Sequence, residues 1–500
     1  MGLGHCIALG AVDEGTSVER ADNHQLGEDW LAAWIGLLFV ALALLGLFGA
    51  DLLGWAVSTS VWTDPSGALK PAGKAYASWG GIGALFATYL GLLAVMCLAA
   101  RALGLKLARF AAAFTAVFII AYAAWFIGNH AHIAAVTPAE MDKFGVSWSL
   151  RLTNEGGYII ALVAGLIVAN VFPRFATWLN DAIRPELYVK IAIVILGAFL
   201  AVTVVGKISL AGSLLLRGVA AIIEAYLIYW AVVYFVARKV FGFNREWAVP
   251  LASGISICGV SAAIATGAAI RARPVVPVLV SSLVVIFAVV EVLVLPFIAQ
   301  TFLADEPMVA AAWMGLSVKT DGAAVAAGGV AEALILSKAA AQGVFYEPGW
   351  LIGTTTTVKV FIDVFIGVWA FVLAFIWTNY INVAEGAERA KVSEIWERFP
   401  KFIVGFVVAF AVCFAIVATA GAETQKTLSS AVAEANTFRV IFFVLTFFSI
   451  GALSNFRKLW EDGFAKLAAV YFVCLFGFVI WVGFAISWLF FAGVKPPLVS

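Results

Sequence analysis

Charged residues inside the apolar stretches of the chain are the first candidates for chemistry. Lys319 and Asp321 flank Thr320. Lys359 and Asp363 are four residues apart, so they share one face of a helix. Because ionisable groups in apolar segments are costly and usually functional, we predict that Lys319, Thr320 and Lys359 bind an anion. Asp321 and Asp363 are predicted to carry a coupling ion, since burial favours a protonated carboxyl group. A purely structural ion pair between Lys359 and Asp363 is the alternative.

Two clusters of serine and glycine form the second set of candidates. One runs from Gly254 to Ser261 and the other from Ser449 to Asn455. Glycine costs about 1 kcal/mol relative to alanine inside a helix, so each cluster predicts a helix interruption. A helix N-terminus at such an interruption offers free N–H groups and a partial positive charge to an anion. The clusters predict these substrate-binding residues: Ser256, Cys258, Gly259, Ser261, Ser449, Gly451 and Ser454. Close packing of helices through small residues is the alternative for both clusters.

The composition places these residues in a membrane. Of 500 residues, 63% are hydrophobic and only 12% are charged, and the mean hydropathy is +1.02. Soluble domains usually carry about 25% charged residues, so soluble enzymes, disordered scaffolds and disulfide-rich secreted folds are excluded. The apolar runs are continuous rather than alternating, which excludes an outer-membrane barrel. An all-α polytopic protein in a lipid bilayer remains. The balance of 31 basic against 30 acidic residues gives no indication of nucleic-acid binding.

Long apolar runs mark the helices that cross the membrane. We predict about 13 of them, since a crossing needs roughly 20 apolar residues. They are 31–56, 78–100, 105–128, 157–172, 189–206, 218–237, 248–270, 276–298, 309–336, 350–377, 401–421, 437–452 and 464–492. Residues 1–30 are predicted to be a cytosolic tail, followed by an uncleaved anchor. Lysine and arginine are more numerous in the loops on the side of the N-terminus, which predicts a cytosolic N-terminus in the inner (plasma) membrane and an external C-terminus.

After residue 150 the chain divides into two sets of five spans that carry similar residues at corresponding positions. Each set begins with an acid followed by glycine, Glu155-Gly156 and Asp321-Gly322, and each fourth span holds one serine-glycine cluster. An odd number of spans makes the second set enter from the opposite face, as an inverted repeat requires. We predict a three-helix accessory segment at 31–150, repeats at 151–300 and 301–500, and two discontinuous crossing helices, 248–270 and 437–452. Glu155 joins the predicted coupling residues.

The other thiol and ionisable groups give weaker signals. The five cysteines lack CxxC spacing and are predicted to be small buried residues, so neither a metal nor a cofactor is expected. Glu224 and Glu291 are predicted to pair with polar neighbours within the helix bundle. His130 and His132 are predicted to lie in a solvated loop, because two histidines alone make a poor metal site.

The segment Gly254–Ala265 resembles the signature of the YeiH-type sulfate exporter family. Further similarity lies in Ser282–Phe287, in Gly315–Val318 leading to Val325–Gly328, and at Lys359. The resemblance covers residues 155–490 and implies two inverted five-helix repeats, related to sodium/proton antiporters and bile-acid symporters. It also implies a small inorganic or sulfonated anion as the substrate. Relatives often carry His-Glu where this chain has Lys319-Thr320, and residues 1–150 lie outside the resemblance.

Together these features predict a secondary active transporter that exports a small anion such as sulfate, sulfite or a sulfonate by alternating access around a midplane site. The chain has no GxxxxGK[ST] sequence, so ATP is not expected to drive it, and a proton or sodium is the expected coupling ion. Cation/proton exchange at Asp321, Asp363 and Glu155, or organic-anion symport, is the first alternative. The second is a membrane-embedded enzyme with Cys258 as nucleophile. The accessory segment could form the interface of a homodimer.

Overall fold

The computed structural model confirms an all-α polytopic membrane protein. It describes residues 27–135, 138–150, 156–204, 212–213, 216–273, 275–381, 396, 400–455 and 464–499. Strand structure within these residues is limited to an antiparallel pair, β1 (Val57–Thr59) and β2 (Leu69–Pro71), in the segment that follows the first helix.

The helices of the first half are α1 (Glu28–Leu44), α2 (Gly80–Ala102), α3 (Leu107–Gly128), α4 (Ala131–Ala134), α5 (Pro138–Phe144), α6 (Gly156–Val171), α7 (Pro173–Leu179), α8 (Pro185–Val204), α9 (Leu216–Val240), α10 (Arg245–Ser256), α11 (Ser261–Ala269) and α12 (Val275–Phe302). Those of the second half are α13 (Pro307–Ser317), α14 (Asp321–Ala341), α15 (Trp350–Val364), α16 (Ile366–Ile376), α17 (Lys401–Thr419), α18 (Ala422–Leu453) and α19 (Phe464–Phe491). Short π turns interrupt α9 and α19 and extend α16 to Ile381.

Eleven helical stretches among the described residues are long and apolar enough to cross a membrane, and the bent pair α6 and α7 would make a twelfth. The prediction of about 13 spans is therefore close. The helix α1 packs against α8, α17 and α18, so the predicted accessory segment contributes directly to the main bundle. The division into domains and repeats stays a prediction.

The two ends of the bundle can be told apart by α1. We call the end at which α1 begins the Glu28 face, and the end that carries β1 the Thr59 face. Arg184 lies 3.5 Å from Glu28, and Lys190 lies 2.8 Å from Asp29, so α8 begins at the Glu28 face. From there α8 crosses to the Thr59 face, and α9 returns.

The helices α10 and α11 form a hairpin that enters from the Glu28 face, which we call hairpin 1. Residues 257–260 between them are not helical. Glu246 in the first turn of α10 is paired with Arg273, just beyond α11, at 2.9 Å. This contact brings both ends of the hairpin to one face, so 248–270 turns back inside the bundle.

The helices α13 and α14 form hairpin 2, which enters from the Thr59 face. Lys338 near the end of α14 donates to the carbonyl oxygen of Gln300, near the end of α12, at 2.9 Å. The start of α13 follows α12 directly, so both ends of this hairpin lie together as well. Residues 318–320 form its tip.

The two hairpins correct the predicted topology. The segments 248–270 and 309–336 were expected to cross the membrane. Each instead turns back inside the bundle and returns to the face from which it entered. Among the described residues, eleven membrane crossings remain when α6 is counted as a crossing and α14 is assigned to hairpin 2. The predicted interruption of 437–452 is wrong, because α18 runs unbroken from Ala422 to Leu453. Apolar bulk from Phe438 to Phe448 keeps this helix buried and intact despite the serine and glycine that follow.

Candidate functional site at the hairpin tips

The tips of the two hairpins touch inside the bundle. The backbone N–H of Gly259 in hairpin 1 donates to the carbonyl oxygen of Lys319 in hairpin 2 at 2.5 Å. A side chain at Gly259 would overlap Val284 and would approach Thr320 to 3.2 Å, so only glycine permits this contact. Non-helical backbone at membrane depth is tolerated only where protein or a polar cavity satisfies it. The tips therefore form a polar site enclosed by protein.

Lys359 of α15 lies at the centre of this site. Its side chain is 2% exposed, and Nζ donates to the carbonyl oxygen of Ile257, where α10 ends, at 2.6 Å. The same Nζ lies 3.6 Å from Oδ1 of Asp321 and 3.6 Å from Oδ1 of Asp363. The ion pair predicted between Lys359 and Asp363 is present, and Asp321 from hairpin 2 is its third member.

Cys258 joins the same group of charges. Its Sγ donates to Oδ1 of Asp321 at 2.9 Å, and ligand atoms of Cys258, Asp321 and Asp363 lie within 4.8 Å of one another. A thiolate with two carboxylates is a donor set that suits a soft or borderline metal ion. The ammonium group of Lys359, at 3.6 Å from both carboxylates, supplies positive charge to the same space and opposes such an ion.

Lys319 belongs to a second group of polar residues on the other side of the tip contact. Its Nζ donates to the carbonyl oxygen of Leu316 and lies 4.5 Å from the ring centroid of Tyr229, a cation–π contact. Its backbone N–H donates to Oε2 of Glu291 at 3.2 Å. Both lysines thus meet the carbonyl end of a hairpin helix, where cations are stabilised by the helix dipole.

The two hairpin helices that begin at the tips differ in their capping. Thr320 accepts a hydrogen bond from the N–H of Ala323 at 3.1 Å and caps α14, so its hydroxyl oxygen has a structural partner. Asp321 follows in the first turn, where the helix dipole favours a negative charge. The N-terminus of α11, which begins at half-buried Ser261, has no side-chain cap. The N–H groups of Ala262 and Ile264 donate to the carbonyl oxygens of Cys258 and Val260 at 3.0 Å, which leaves those of Ser261 and Ala263 without a partner among the described residues.

Buried oxygen atoms around the tips add hydrogen-bonding capacity. Within the described part of the chain, no hydrogen bond reaches Oγ of Ser256. The carboxyl group of Glu224 interacts with the hydroxyl group of Tyr229, and that of Glu291 with the hydroxyl group of Tyr471. Both glutamates therefore have polar neighbours within the helix bundle, as predicted. Lys319 is the cation that interacts with both of them. Glu224 also begins a π turn, a feature frequent at functional sites.

The second predicted cluster lies beside hairpin 2, because a methyl group at Gly322 would lie 3.5 Å from Cδ1 of Ile450. Gly451 faces α6, where an added methyl group would overlap backbone atoms of Leu162 and Leu166. Ser454 donates to the carbonyl oxygen of Ile450 at 2.7 Å. Ser449 is buried beside them on α18. Close helix packing through small residues therefore accounts for Gly451. Glu155, the third predicted coupling residue, lies outside the described residues.

A cavity that opens at the Glu28 face reaches the tip of hairpin 1. It has a volume of about 310 Å³ and is lined by Glu28, Arg184, Glu186, Ser281, Leu453 and Val260, which belongs to the tip of hairpin 1. A cavity of about 330 Å³ at the Thr59 face is lined by Thr59, Glu332, Gly349 and Arg439 but by neither tip. The conformation described here thus gives the tips access to the Glu28 face.

The paired histidines lie apart from this site. His132 bonds to the carbonyl oxygen of Trp148 at 2.8 Å, and its backbone N–H donates to Nδ1 of His130. Burial, with a smaller contribution from His132, lowers the pKa of His130 below its usual value. Both histidines therefore belong to a structured turn that follows α3, rather than to the predicted solvated loop.

Comparison with known proteins identifies the family. Residues 112–470 match the family model described as conserved hypothetical protein 698. A UPF0324 membrane protein of Nitrosomonas europaea is 40% identical over 477 residues, which cover 94% of this chain and 97% of that protein. A UPF0324 membrane protein of Rhodopirellula baltica is 29% identical over 79% of this chain and 65% of its own length. No solved structure matches the chain. The chain belongs to the UPF0324 membrane proteins, the family of conserved hypothetical protein 698.

Proposed function

We propose that this protein is a proton-coupled secondary transporter that exports a small oxyanion, such as sulfate, sulfite or a sulfonate, across the inner membrane. The anion binds between the two hairpin tips, and the Glu28 face is the cytosolic face. Two buried lysines, Ser256 and the uncapped N-terminus of α11 supply the donors that a dehydrated oxyanion requires.

One observation carries this proposal: the ammonium group of Lys359 is buried between the tips, held by Asp321 and Asp363 at 3.6 Å. In the absence of substrate these carboxylates neutralise the lysine. A buried charge must be paired, so an anion that binds Lys359 has to replace a carboxylate charge. Protonation of Asp321 or Asp363 provides that replacement, and each anion therefore moves together with at least one proton.

Alternating access follows from the opposed hairpins. Hairpin 1 enters from the Glu28 face and hairpin 2 from the Thr59 face, so the site lies where the two hairpins meet. Sliding of α10–α16 against α1, α8, α17 and α18 would move the tips from the Glu28-face cavity toward the Thr59-face cavity. The predicted inverted repeat would make the two end states equivalent. A homodimer would hold one group of helices in place in the membrane while the other group moves.

Cation/proton exchange is the second candidate, and the balance of charge favours it. Four buried carboxyl groups surround the tips, on Glu224, Glu291, Asp321 and Asp363, against the two ammonium groups of Lys319 and Lys359. If all were ionised, the site would hold an excess of negative charge that sodium or protons could neutralise.

Flux measurements on purified protein in proteoliposomes distinguish the two candidates. We expect counterflow of labelled sulfate or sulfite that is accelerated by an imposed pH gradient and is insensitive to sodium. A thermal-shift screen with sulfate, sulfite, thiosulfate, taurine, bicarbonate and sodium should rank the ligands in parallel. Stabilisation by sodium alone, with sodium-driven proton flux and no anion flux, would favour cation/proton exchange and reject the anion transporter.

Replacement of Cys258 with alanine tests the remaining enzymatic alternative. The thiol has an acceptor in Asp321 at 2.9 Å, so a nucleophile with a neighbouring base is chemically conceivable. We expect the Cys258→Ala variant to retain most of the anion flux, because the thiol donates only one weak hydrogen bond. Cys413→Ala, which alters a buried cysteine of α17, is the matched control. Complete loss of activity in Cys258→Ala alone would indicate covalent chemistry.

A further inference from the structure

Glu186, in the first turn of α8, is a titratable residue of the Glu28-face cavity. It lines that cavity together with Val260 of hairpin 1, and its side chain is 20% exposed. Its Oε2 atom is nevertheless buried and has no hydrogen-bond partner within the described residues. The side chain is therefore partly accessible from the cavity, while Oε2 faces the protein interior.

The charges around Glu186 come from three helices. Lys190, one turn further along α8, lies 3.6 Å from Oε2 and is paired with Asp29 of α1 at 2.8 Å. Glu28 of α1 and Asp321 of hairpin 2 also interact electrostatically with Glu186. The helix α8 lies against hairpin 2 beside Asp321, since a methyl group at Gly322 would be in van der Waals contact with Val189 at 3.6 Å. Lys190 keeps its charge through Asp29, so Glu186 is not needed to neutralise it.

We propose that Glu186 is the proton-transfer residue through which protons pass between the Glu28-face cavity and Asp321. A proton from cavity water binds the Glu186 carboxylate, and the same proton then moves to Asp321, leaving Glu186 ionised and ready for the next cycle. Lys190 favours the ionised form of Glu186 and so helps the release step. This assignment rests on the proposed proton-coupled transport and names the route of the coupling proton.

The test compares Glu186→Gln with Glu28→Gln in proteoliposomes that contain a pH-sensitive dye. Glu28 lines the same cavity but pairs with Arg184 at its mouth, so it is a matched control. In Glu186→Gln, we expect sulfite-driven proton flux to fall by at least about tenfold, because glutamine cannot carry the proton. The dependence of transport on pH at the Glu28 face should flatten. Glu186→Asp, which keeps a titratable group, should restore part of both, and Glu28→Gln should resemble wild type.

Calorimetric titration of sulfite into the same variants separates this role from anion binding. Glu186→Gln should bind sulfite as wild type does and should unfold near the wild-type temperature. Retention of coupled proton flux and of the pH profile in Glu186→Gln would overturn the assignment. Loss of sulfite binding in that variant, or failure of Glu186→Asp to restore any proton flux, would do so too. Absence of sulfite-driven flux in wild type would reject the proposed function instead.

Discussion

Replacing Lys359 with glutamine should weaken sulfate or sulfite binding by more than about tenfold, because the variant loses a desolvated positive charge at the anion site. It should also destabilise the protein. Asp321 and Asp363, each 3.6 Å from the lost ammonium group, would be left as buried carboxylates without a cation. Removing one partner from a buried ion pair costs about 3–5 kcal/mol. Calorimetry and the midpoint of thermal unfolding measure the two effects.

A double variant separates binding from folding. Lys359→Gln combined with Asp363→Asn removes one charge of each sign, so most of the lost stability should return while anion binding stays weak. Lys338→Gln is the matched control, since that lysine bonds at the Thr59 face, away from the tips. Wild-type affinity in both variants with glutamine at position 359 would exclude this lysine from the anion site.

Replacing Asp321 with asparagine should uncouple transport from protons. The amide retains the size of the side chain and can accept from Cys258, but it cannot take up a proton. Lys359 would keep Asp363 as its partner, so the site should remain folded and should bind the anion. We expect anion counterflow to continue, while anion-driven proton flux disappears and the pH dependence of transport is lost.

Asp305→Asn provides the control for this experiment. Asp305 is an exposed residue in the link between α12 and hairpin 2, remote from the tips, and its replacement should leave coupling intact. If Asp321→Asn transported anions with an unchanged pH dependence and unchanged proton flux, Asp321 would not be the proton carrier. The carboxyl group of Asp363 would then be the next to examine.

The membrane class and most helix positions follow from composition and from runs of apolar residues. The pairing of Lys359 with Asp363 follows from their spacing on one helix. The turning back of 248–270 depends on the contact between Glu246 and Arg273, which are far apart in sequence and which no periodicity relates. A run of apolar residues has the same sequence pattern whether it crosses the membrane or turns back within it. The hairpins could therefore not be predicted from the apolar runs.

Local composition also predicted the second helix interruption at the wrong position. Serine and glycine near 451 suggested a break, but Gly451 is required for contact with the backbone of α6. The break of hairpin 2 lies at Val318–Thr320, where the charged residues Lys319 and Asp321 had indicated a site. Glu186 gave no signal because it stands at the start of an apolar run, where a glutamate ordinarily meets water.

Selenate, an analogue of sulfate, provides the most direct test of an anion site between the hairpin tips. We expect crystals grown with selenate to give an anomalous selenium peak within hydrogen-bonding distance of Nζ of Lys359 and of the first N–H groups of α11. A peak bound elsewhere, such as beside Arg439 in the Thr59-face cavity, with no density at the tips of a protein that transports the anion, would contradict it.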